Sequence, residues 1–219
     1  MPDTAKIVLL AGATGLIGSH CLRLLAEDPG VREVRALTRR PLKNLAGGGK
    51  VRACMVDFDH LDRHAGEFDA DAVICALGTT LRAAGSRPAF RRVDHDYPLA
   101  LARAARARGA RHFLLVSAAG ADPRSMIFYN RVKGELEQAL RALDFPSLTI
   151  VRPSLLLGER SEHRPGEEWA KRFGWLLPSP WKPIEAAAVA AALVRAMHAA
   201  APGVAILENR ALRQSAQRL

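Results

Sequence analysis

The sequence predicts an α/β protein with a doubly wound parallel sheet covered by helices on both faces. Short apolar runs recur along the chain, and segments with helical spacing separate them. The runs lack the polar alternation of strands that face water on one side, which indicates strands buried on both faces. A length of 219 residues suits one globular domain with a full core. We therefore expect a single domain over residues 1–219.

Four strands are predicted in the first half of the chain, each from a short apolar run. Their ranges are Lys6 to Ala11, Val31 to Leu37, Lys50 to Phe58 and Ala72 to Leu77. A helix from Leu16 to Ala26 follows the first strand, because its apolar residues recur at helical spacing. After the fourth strand come a turn, a polar stretch that reaches Arg92, and a helix from Val93 to Arg108.

The second half continues the same alternation and then loses it. His112 to Val116 and Leu148 to Arg152 are predicted strands, and a helix from Phe128 to Leu143 lies between them. A helix from Ile184 to Ala199 and a short strand from Val204 to Leu207 close the chain. Parallel strands that alternate with helices in this order predict a sheet whose ligands lie at the carboxyl ends of the strands.

Residues 158–182 form a separate C-terminal segment, in which three tryptophans lie among prolines. They are Trp169, Trp175 and Trp181. We interpret the segment as a lid or substrate region, a compact apolar cover for a pocket at the edge of the sheet. Two alternatives stay open: a small core under the C-terminal part of the chain, and a patch that contacts a membrane or a second copy.

Composition excludes several classes of function. The net charge is +10, but the arginines are scattered and are not interleaved with stacking aromatics, so nucleic acid is not an expected partner. The three cysteines are widely spaced, and the histidines show no metal spacing, so no metal is expected. No apolar run is long enough to cross a bilayer, and the N-terminus does not resemble a signal peptide. These features predict a cytoplasmic protein that is not inserted in a membrane.

The stretch AGATGLIG, between the first strand and the first helix, predicts a dinucleotide site. Gly12 permits a tight turn, Gly15 lets the backbone approach a pyrophosphate, and Gly18 lets the helix pack close to the sheet. The first helical turn offers free N–H groups to the phosphates. The residues of this turn expected to contact the cofactor are Thr14, Leu16 and Ile17. This context predicts a Rossmann-like fold.

The end of the second strand indicates which nucleotide is bound. Sites for NAD usually place an acidic residue there, whereas this chain has Thr38, Arg39 and Arg40. A guanidinium can hold a 2′-phosphate through paired hydrogen bonds. We therefore predict NADP(H), with NAD possible. The alternative is that both arginines are a solvated pair in a basic protein.

The ends of the third and fourth strands should also line the cofactor crevice. Asp57 and Phe58 are expected to flank the adenine. Leu77, Gly78 and Thr79 are expected to pass beneath the ribose and pyrophosphate, where a glycine permits close approach.

The stretch FYNRVKGELE predicts a proton-transfer site. Tyr129 and Lys133 are four residues apart and share a helix face. A nearby ammonium stabilises tyrosinate, which suits a tyrosine to acid–base exchange. Ser117 ends the preceding strand and can hydrogen-bond the same substrate oxygen. Taken alone, it could equally be a strand-end cap.

Together these motifs resemble the short-chain dehydrogenase/reductase superfamily, and more narrowly its atypical subgroup related to the Tat-interacting oxidoreductase and sugar-nucleotide epimerase-like proteins. Further stretches that carry the resemblance are LGTT, FRRVDHDY, SAAGAD and VRPSLLLGER. The resemblance implies that Tyr129 is the acid/base, that Lys133 holds the nicotinamide ribose, and that Ser117 orients the substrate carbonyl. It also implies that Arg152, Pro153 and Ser154 lie beside the nicotinamide.

The chain departs from the family pattern at two places. Where many members have an asparagine in the helix before the serine strand, this chain has Asp94, so the resemblance implies a different proton relay there. Ser117 is followed by Ala118 and Ala119 instead of a second hydroxyl residue. Both departures are expected to affect proton transfer at the site.

The expected function is that of an NADP(H)-dependent oxidoreductase acting on the carbonyl or alcohol group of a small molecule, as a monomer or homodimer. The cofactor carries the hydride and the protein supplies orientation and electrostatics. The competing hypothesis is a sensor or scaffold that binds NAD(P)H without turnover. Asp94 and the small substrate region favour this second hypothesis.

Overall fold

A parallel sheet lies at the centre of the computed structural model, which describes residues 5–41, 49–157 and 181–216. The strands are β1 (Lys6–Ala11), β2 (Val31–Thr38), β3 (Val51–Met55), β4 (Ala72–Cys75), β5 (His112–Val116), β6 (Ser147–Arg152), β7 (Leu156–Leu157), β8 (Ile184–Glu185) and β9 (Gly203–Glu208). Seven of them form one parallel sheet in the order β3-β2-β1-β4-β5-β6-β9. The predicted fold class is therefore confirmed.

Helices cover both faces of this sheet. They are α1 (Leu16–Glu27), α2 (Leu81–Ala84), α3 (Arg87–Arg91), α4 (Tyr97–Ala107), α5 (Phe128–Arg141), α6 (Ala186–Ala199) and α7 (Asn209–Ala216), together with a 3₁₀ segment (Leu61–Phe68) and a π-helical turn (Arg92–Asp96). The alternating side chains of β1 join two separate cores. Leu10 packs with residues of α1 and α6, whereas Leu9 packs with residues of α4 and α5.

The π-helical turn lies where the sequence predicted part of a regular helix. The N–H of Tyr97 bonds to the carbonyl of Arg92, five residues earlier. Pro98 lacks the N–H that would bond to the carbonyl of Asp94 in an α-helix. The widened turn leads directly from α3 into α4 and buries the Asp94 side chain.

Three predictions of secondary structure were wrong. The polar stretch before Arg92 contains two short helices, α2 and α3, which are capped by the hydroxyls of Thr80 and Ser86. Ile184 and Glu185 do not begin α6 but pair in parallel with β7 as strand β8. The chain does not close on β9, since α7 follows it.

His112, at the start of β5, is a buried histidine at the amino-terminal edge of the sheet. Its Nε2 lies 2.9 Å from Thr149 Oγ1 on β6. Burial, and then the charge of Lys6, lower the pKa of His112 from 6.5 to about 4. The folded protein therefore resists protonation at this ring, while the unfolded chain takes up a proton below about pH 6.5.

We expect His112 to make the protein sensitive to acid. Its contribution to stability is intact above the unfolded pKa and is lost as the pH falls from about 6.5 towards 4. Over that range the wild type should lose roughly 2 to 3 kcal/mol more than a His112→Gln variant. Urea unfolding at several pH values measures the difference. Equal losses in the two proteins would contradict the assignment.

Candidate functional site

A cavity of about 620 Å³ opens at the carboxyl edge of the sheet. It lies where the winding reverses between β1 and β4, which is the position where open α/β sheets bind ligands. Most of the predicted site residues line it. They are Thr14, Gly15, Leu16, Ile17, Leu77, Gly78, Thr79, Ser117, Tyr129, Lys133 and Pro153.

Two glycines beneath the cavity set its shape. Gly12 has a φ of +88°, and a Cβ there would lie 2.5 Å from the carbonyl oxygen of Ala76. A Cβ on Gly18 would lie 2.0 Å from the carbonyl oxygen of Gly12. Neither position can hold a side chain without moving backbone. The turn therefore presents only main chain where α1 begins.

The start of α1 suits a bound pyrophosphate. Gly15 is its N-cap, no side chain caps the helix, and its first turn holds no acidic residue. A helix start has unpaired N–H groups and a positive dipole end, which attract anions. The glycine turn and the uncapped start of α1 thus fit the pyrophosphate of the dinucleotide that the sequence predicted.

Arg39 and Arg40 follow β2 directly and are exposed, and neither lines the cavity. The part of the chain that the structure describes holds no ion pair to either guanidinium. Both are therefore available to a ligand that extends from the cavity along the edge of the sheet.

Asp57 and Phe58 do not line the cavity either. Phe58 is buried, and its ring packs 5.4 Å from the ring of Tyr97. The exposed carboxylate of Asp57 contacts His60 Nδ1 at 2.8 Å, and this hydrogen bond lowers the pKa of Asp57. Only Asp57 of this pair is open to a ligand.

Tyr129 and Lys133 lie one turn apart on α5 and both line the cavity. The Tyr129 ring packs against Phe90, with ring centres 5.6 Å apart. Lys133 Nζ lies 2.8 Å from Asp94 Oδ1, and the two side chains are only 4% and 1% exposed. Burial opposes the charge of Lys133, but Asp94 and then Tyr129 outweigh it, so the pKa of Lys133 is raised.

Asp94 also holds the loop after β4. Its Oδ2 accepts the Thr79 N–H at 2.8 Å, while its Oδ1 accepts from Lys133. A Cβ on Gly78 would lie 3.4 Å from Asp94 Oδ1, so the loop passes close to the ion pair. One carboxylate therefore links α5 to the loop that the sequence assigned to the cofactor.

Ser117 lines the cavity, but its hydroxyl is already engaged. It donates to Glu137 Oε1 at 2.5 Å, and Glu137 also accepts from Arg152 Nε at 3.0 Å. Because the hydroxyl has one hydrogen, Ser117 faces a ligand as an acceptor in this arrangement. Glu137 was not predicted as a site residue from the sequence, although its position one turn after Lys133 on α5 was a signal.

Arg152, which was predicted to lie beside the nicotinamide, does not line the cavity. Its guanidinium pairs with Glu137 and, at 2.9 Å, with Glu208, and the hydrogen bond that it donates to Glu137 raises the pKa of Arg152. Pro153 and Ser154 do line the cavity. Two carboxylates, those of Glu137 and Glu208, hold the Arg152 guanidinium outside the cavity lining.

Trp181 forms part of the cavity wall and is 48% exposed. Its indole lies against Gly120, where a Cβ would be 3.2 Å from the ring. Leu155 and Leu156 line the same side. Trp169 and Trp175, with the rest of residues 158–180, lie outside the described residues.

Within residues 5–41, 49–157 and 181–216, no helix combines the length and apolar character required to span a bilayer. In the same ranges, no three His, Cys, Asp or Glu side chains come together as a potential metal site.

This chain is similar to proteins of known family. A family model described as NAD(P)H-binding matches residues 12–200. Protein HTATIP2 of Rattus norvegicus is 39% identical over 214 residues, which is 94% of this chain and 88% of the rat protein. The mitochondrial protein fmp52 of Emericella nidulans is 35% identical over 175 residues, covering 78% of this chain and 75% of the fungal protein.

Solved structures show the same fold at low sequence identity. MoeE5 in complex with UDP-glucuronic acid and NAD has a TM-score of 0.73 and 18% identity, covering 93% of this chain and 75% of that one. A UDP-N-acetylglucosamine 4-epimerase from Methanobrevibacter ruminantium has a TM-score of 0.71 and 16% identity, covering 94% and 77%. The family model and the relatives show that this chain belongs to the NAD(P)H-binding family.

Proposed function

We propose that this protein is an NADP(H)-dependent oxidoreductase that acts on the carbonyl or alcohol group of a small molecule. The observation that carries the proposal is that Tyr129 and Lys133 face the same cavity as the uncapped start of α1. A proton-transfer pair and a phosphate-binding turn in one crevice are what this reaction needs. The nicotinamide supplies or accepts the hydride.

Four parts of the cavity have a role in the proposed reaction: Tyr129, Lys133, Ser117 and the first turn of α1. In the reducing direction, the substrate carbon gains the hydride and its oxygen gains the proton of Tyr129 Oη. The phenolate left on Tyr129 then regains a proton from solvent. Lys133 holds the nicotinamide ribose, and Ser117 orients the substrate oxygen once its hydroxyl hydrogen turns from Glu137 to that oxygen. The first turn of α1 binds the pyrophosphate.

The preference for NADP(H) rests on Arg39 and Arg40. Both are exposed at the end of β2, and no carboxylate stands there to repel a 2′-phosphate. A guanidinium makes paired, charge-assisted hydrogen bonds with phosphate oxygens. The contact between these arginines and the 2′-phosphate would therefore favour NADP(H) over NAD(H).

We expect Arg39→Ala to weaken NADPH binding by roughly tenfold or more while leaving NADH binding unchanged, because only NADPH has the 2′-phosphate. Titration of nicotinamide fluorescence at fixed salt measures both affinities. Arg111→Ala is a matched control, since Arg111 is an exposed arginine at the opposite edge of the sheet. Equal losses for NADH and NADPH would contradict the assignment.

A screen for turnover tests the whole proposal. The purified protein is incubated with NADPH and a panel of aldehydes and ketones, and NADPH absorbance is followed over time. Oxidation of NADPH that depends on one class of carbonyl compound would support the proposal. If NADPH fails to bind, the oxidoreductase proposal is wrong.

A second candidate function is a nucleotide sensor or scaffold. Two groups that catalysis would use already have protein partners: Lys133 pairs with Asp94, and Ser117 donates to Glu137. Such a site can hold NAD(P)H without completing a reaction. Tight NADPH binding with no turnover across the panel would favour this function over the first.

A further inference from the structure

Asp94 is the residue whose role the proposed function leaves unexplained. It is buried in the π-helical turn, and each carboxylate oxygen has one partner, Lys133 Nζ or the Thr79 N–H. Removal from water makes the interaction between Asp94 and Lys133 stronger than it would be at the surface. The ammonium therefore does not face Tyr129 as an isolated positive charge.

An ion pair acts on a third group as a dipole, and its field falls off faster than that of a single charge. Attraction between Lys133 and a tyrosinate at Tyr129 is opposed by repulsion between that tyrosinate and Asp94. Asp94 thus reduces the stabilisation that Lys133 can give to a deprotonated Tyr129.

Other titratable groups around Lys133 do not change this balance. Cys75 on β4 interacts electrostatically with Lys133, but burial raises the pKa of its thiol to about 11, so it is neutral near pH 7. Glu137, one turn along α5, is paired with Arg152 and accepts from Ser117. Asp94 is therefore the carboxylate that opposes Lys133.

We propose that Asp94 is a positioning residue that neutralises Lys133 and so keeps Tyr129 in its proton-donating form, which favours carbonyl reduction. The inference rests on the proposed function and deepens it by assigning the direction of proton transfer. In the reducing direction Tyr129 must begin as a phenol, and an uncompensated ammonium beside it would work against that state.

The test is a titration of tyrosinate absorbance in the near ultraviolet, without cofactor or substrate. The chain has two tyrosines, so a Tyr97→Phe background isolates Tyr129. In this background, Asp94→Asn should move the appearance of tyrosinate to lower pH by roughly one unit or more, because Lys133 is then unopposed. Lys133→Met should move it to higher pH, because Asp94 is left alone.

The double variant Asp94→Asn, Lys133→Met decides the question. It leaves no unpaired charge in the core, so it should fold even if the single variants do not, and the new amide oxygen can still accept from the Thr79 N–H. If the pair is electrostatically balanced, tyrosinate appears at the same pH as in the background. Appearance at clearly higher pH would overturn the proposal, since it would mean that Lys133 acts uncompensated.

Asp96→Asn is a matched control for the loss of a negative charge. Asp96 lies in the same turn, but its side chain is 54% exposed and contacts His95 instead of Lys133. It should leave the titration unchanged, and a shift as large as that of Asp94→Asn would also overturn the proposal. Because no turnover is measured, this result is independent of the carbonyl screen, which tests the proposed function separately.

Discussion

Replacing Tyr129 with phenylalanine is expected to lower the rate of turnover by about 10² to 10⁴-fold, which is the contribution that a positioned acid or base makes. The change removes only the hydroxyl. The ring keeps its contact with Phe90, so the cavity and the start of α1 should hold their shape. NADPH affinity should therefore be retained, and the loss should appear in kcat.

Tyr97→Phe is the matched control for this experiment. Tyr97 is the other tyrosine of the chain, and its hydroxyl donates to Asp59 at 3.0 Å, away from the cavity lining. This variant should keep its turnover. If Tyr129→Phe also kept full turnover, the proton would come from another group, and the assignment of Tyr129 would be wrong.

Replacing Gly134 with alanine is expected to destabilise the fold by about 3 kcal/mol or more, although alanine favours helices over glycine by roughly 1 kcal/mol. A Cβ at this position would lie 2.2 Å from the nitrogen of Pro123 and 2.3 Å from the carbonyl carbon of Asp122. Both are backbone atoms, so α5 or the loop must move. The movement would also displace Lys133, the preceding residue.

Urea unfolding measures this loss of stability, and Gly66→Ala is its control. Gly66 lies in the 3₁₀ segment, and a Cβ there would meet no atom within 4 Å. That variant should be about as stable as the wild type. A Gly134→Ala protein of unchanged stability would show that the contact between α5 and the Asp122 loop relaxes easily.

The sequence predicts the main sheet well because its strands are short apolar runs that can be recognised one at a time. Leu9 and Leu10 point to opposite faces and are both buried, which is why the apolar run carries no alternation. The elements that were missed have weak local signals. Strands β7 and β8 have two residues each, and α7 is a polar segment in which Leu212 is a buried contact.

The candidate site is predictable where it depends on short motifs. The glycine turn and the pair Tyr129 and Lys133 meet in one cavity as their order along the chain implied. The contacts of Ser117 and Arg152 were not predictable, because both depend on Glu137, which is 20 residues from Ser117 and 15 from Arg152. Periodicity within one element carries no information on which partner a polar side chain selects in another.

The π-helical turn has a consequence for how this family can diverge. Such a turn corresponds to one extra residue in an α-helix. Deleting one residue from the turn would return it to α-helical geometry and leave α3 and α4 in register, because the turn absorbs the extra residue. The widened turn that places Asp94 beside Lys133 would be lost, although no functional side chain had been substituted. The number of residues between α3 and α4 therefore determines part of the site. Homologues with a one-residue deletion in this turn should lack the contact between Asp94 and Lys133.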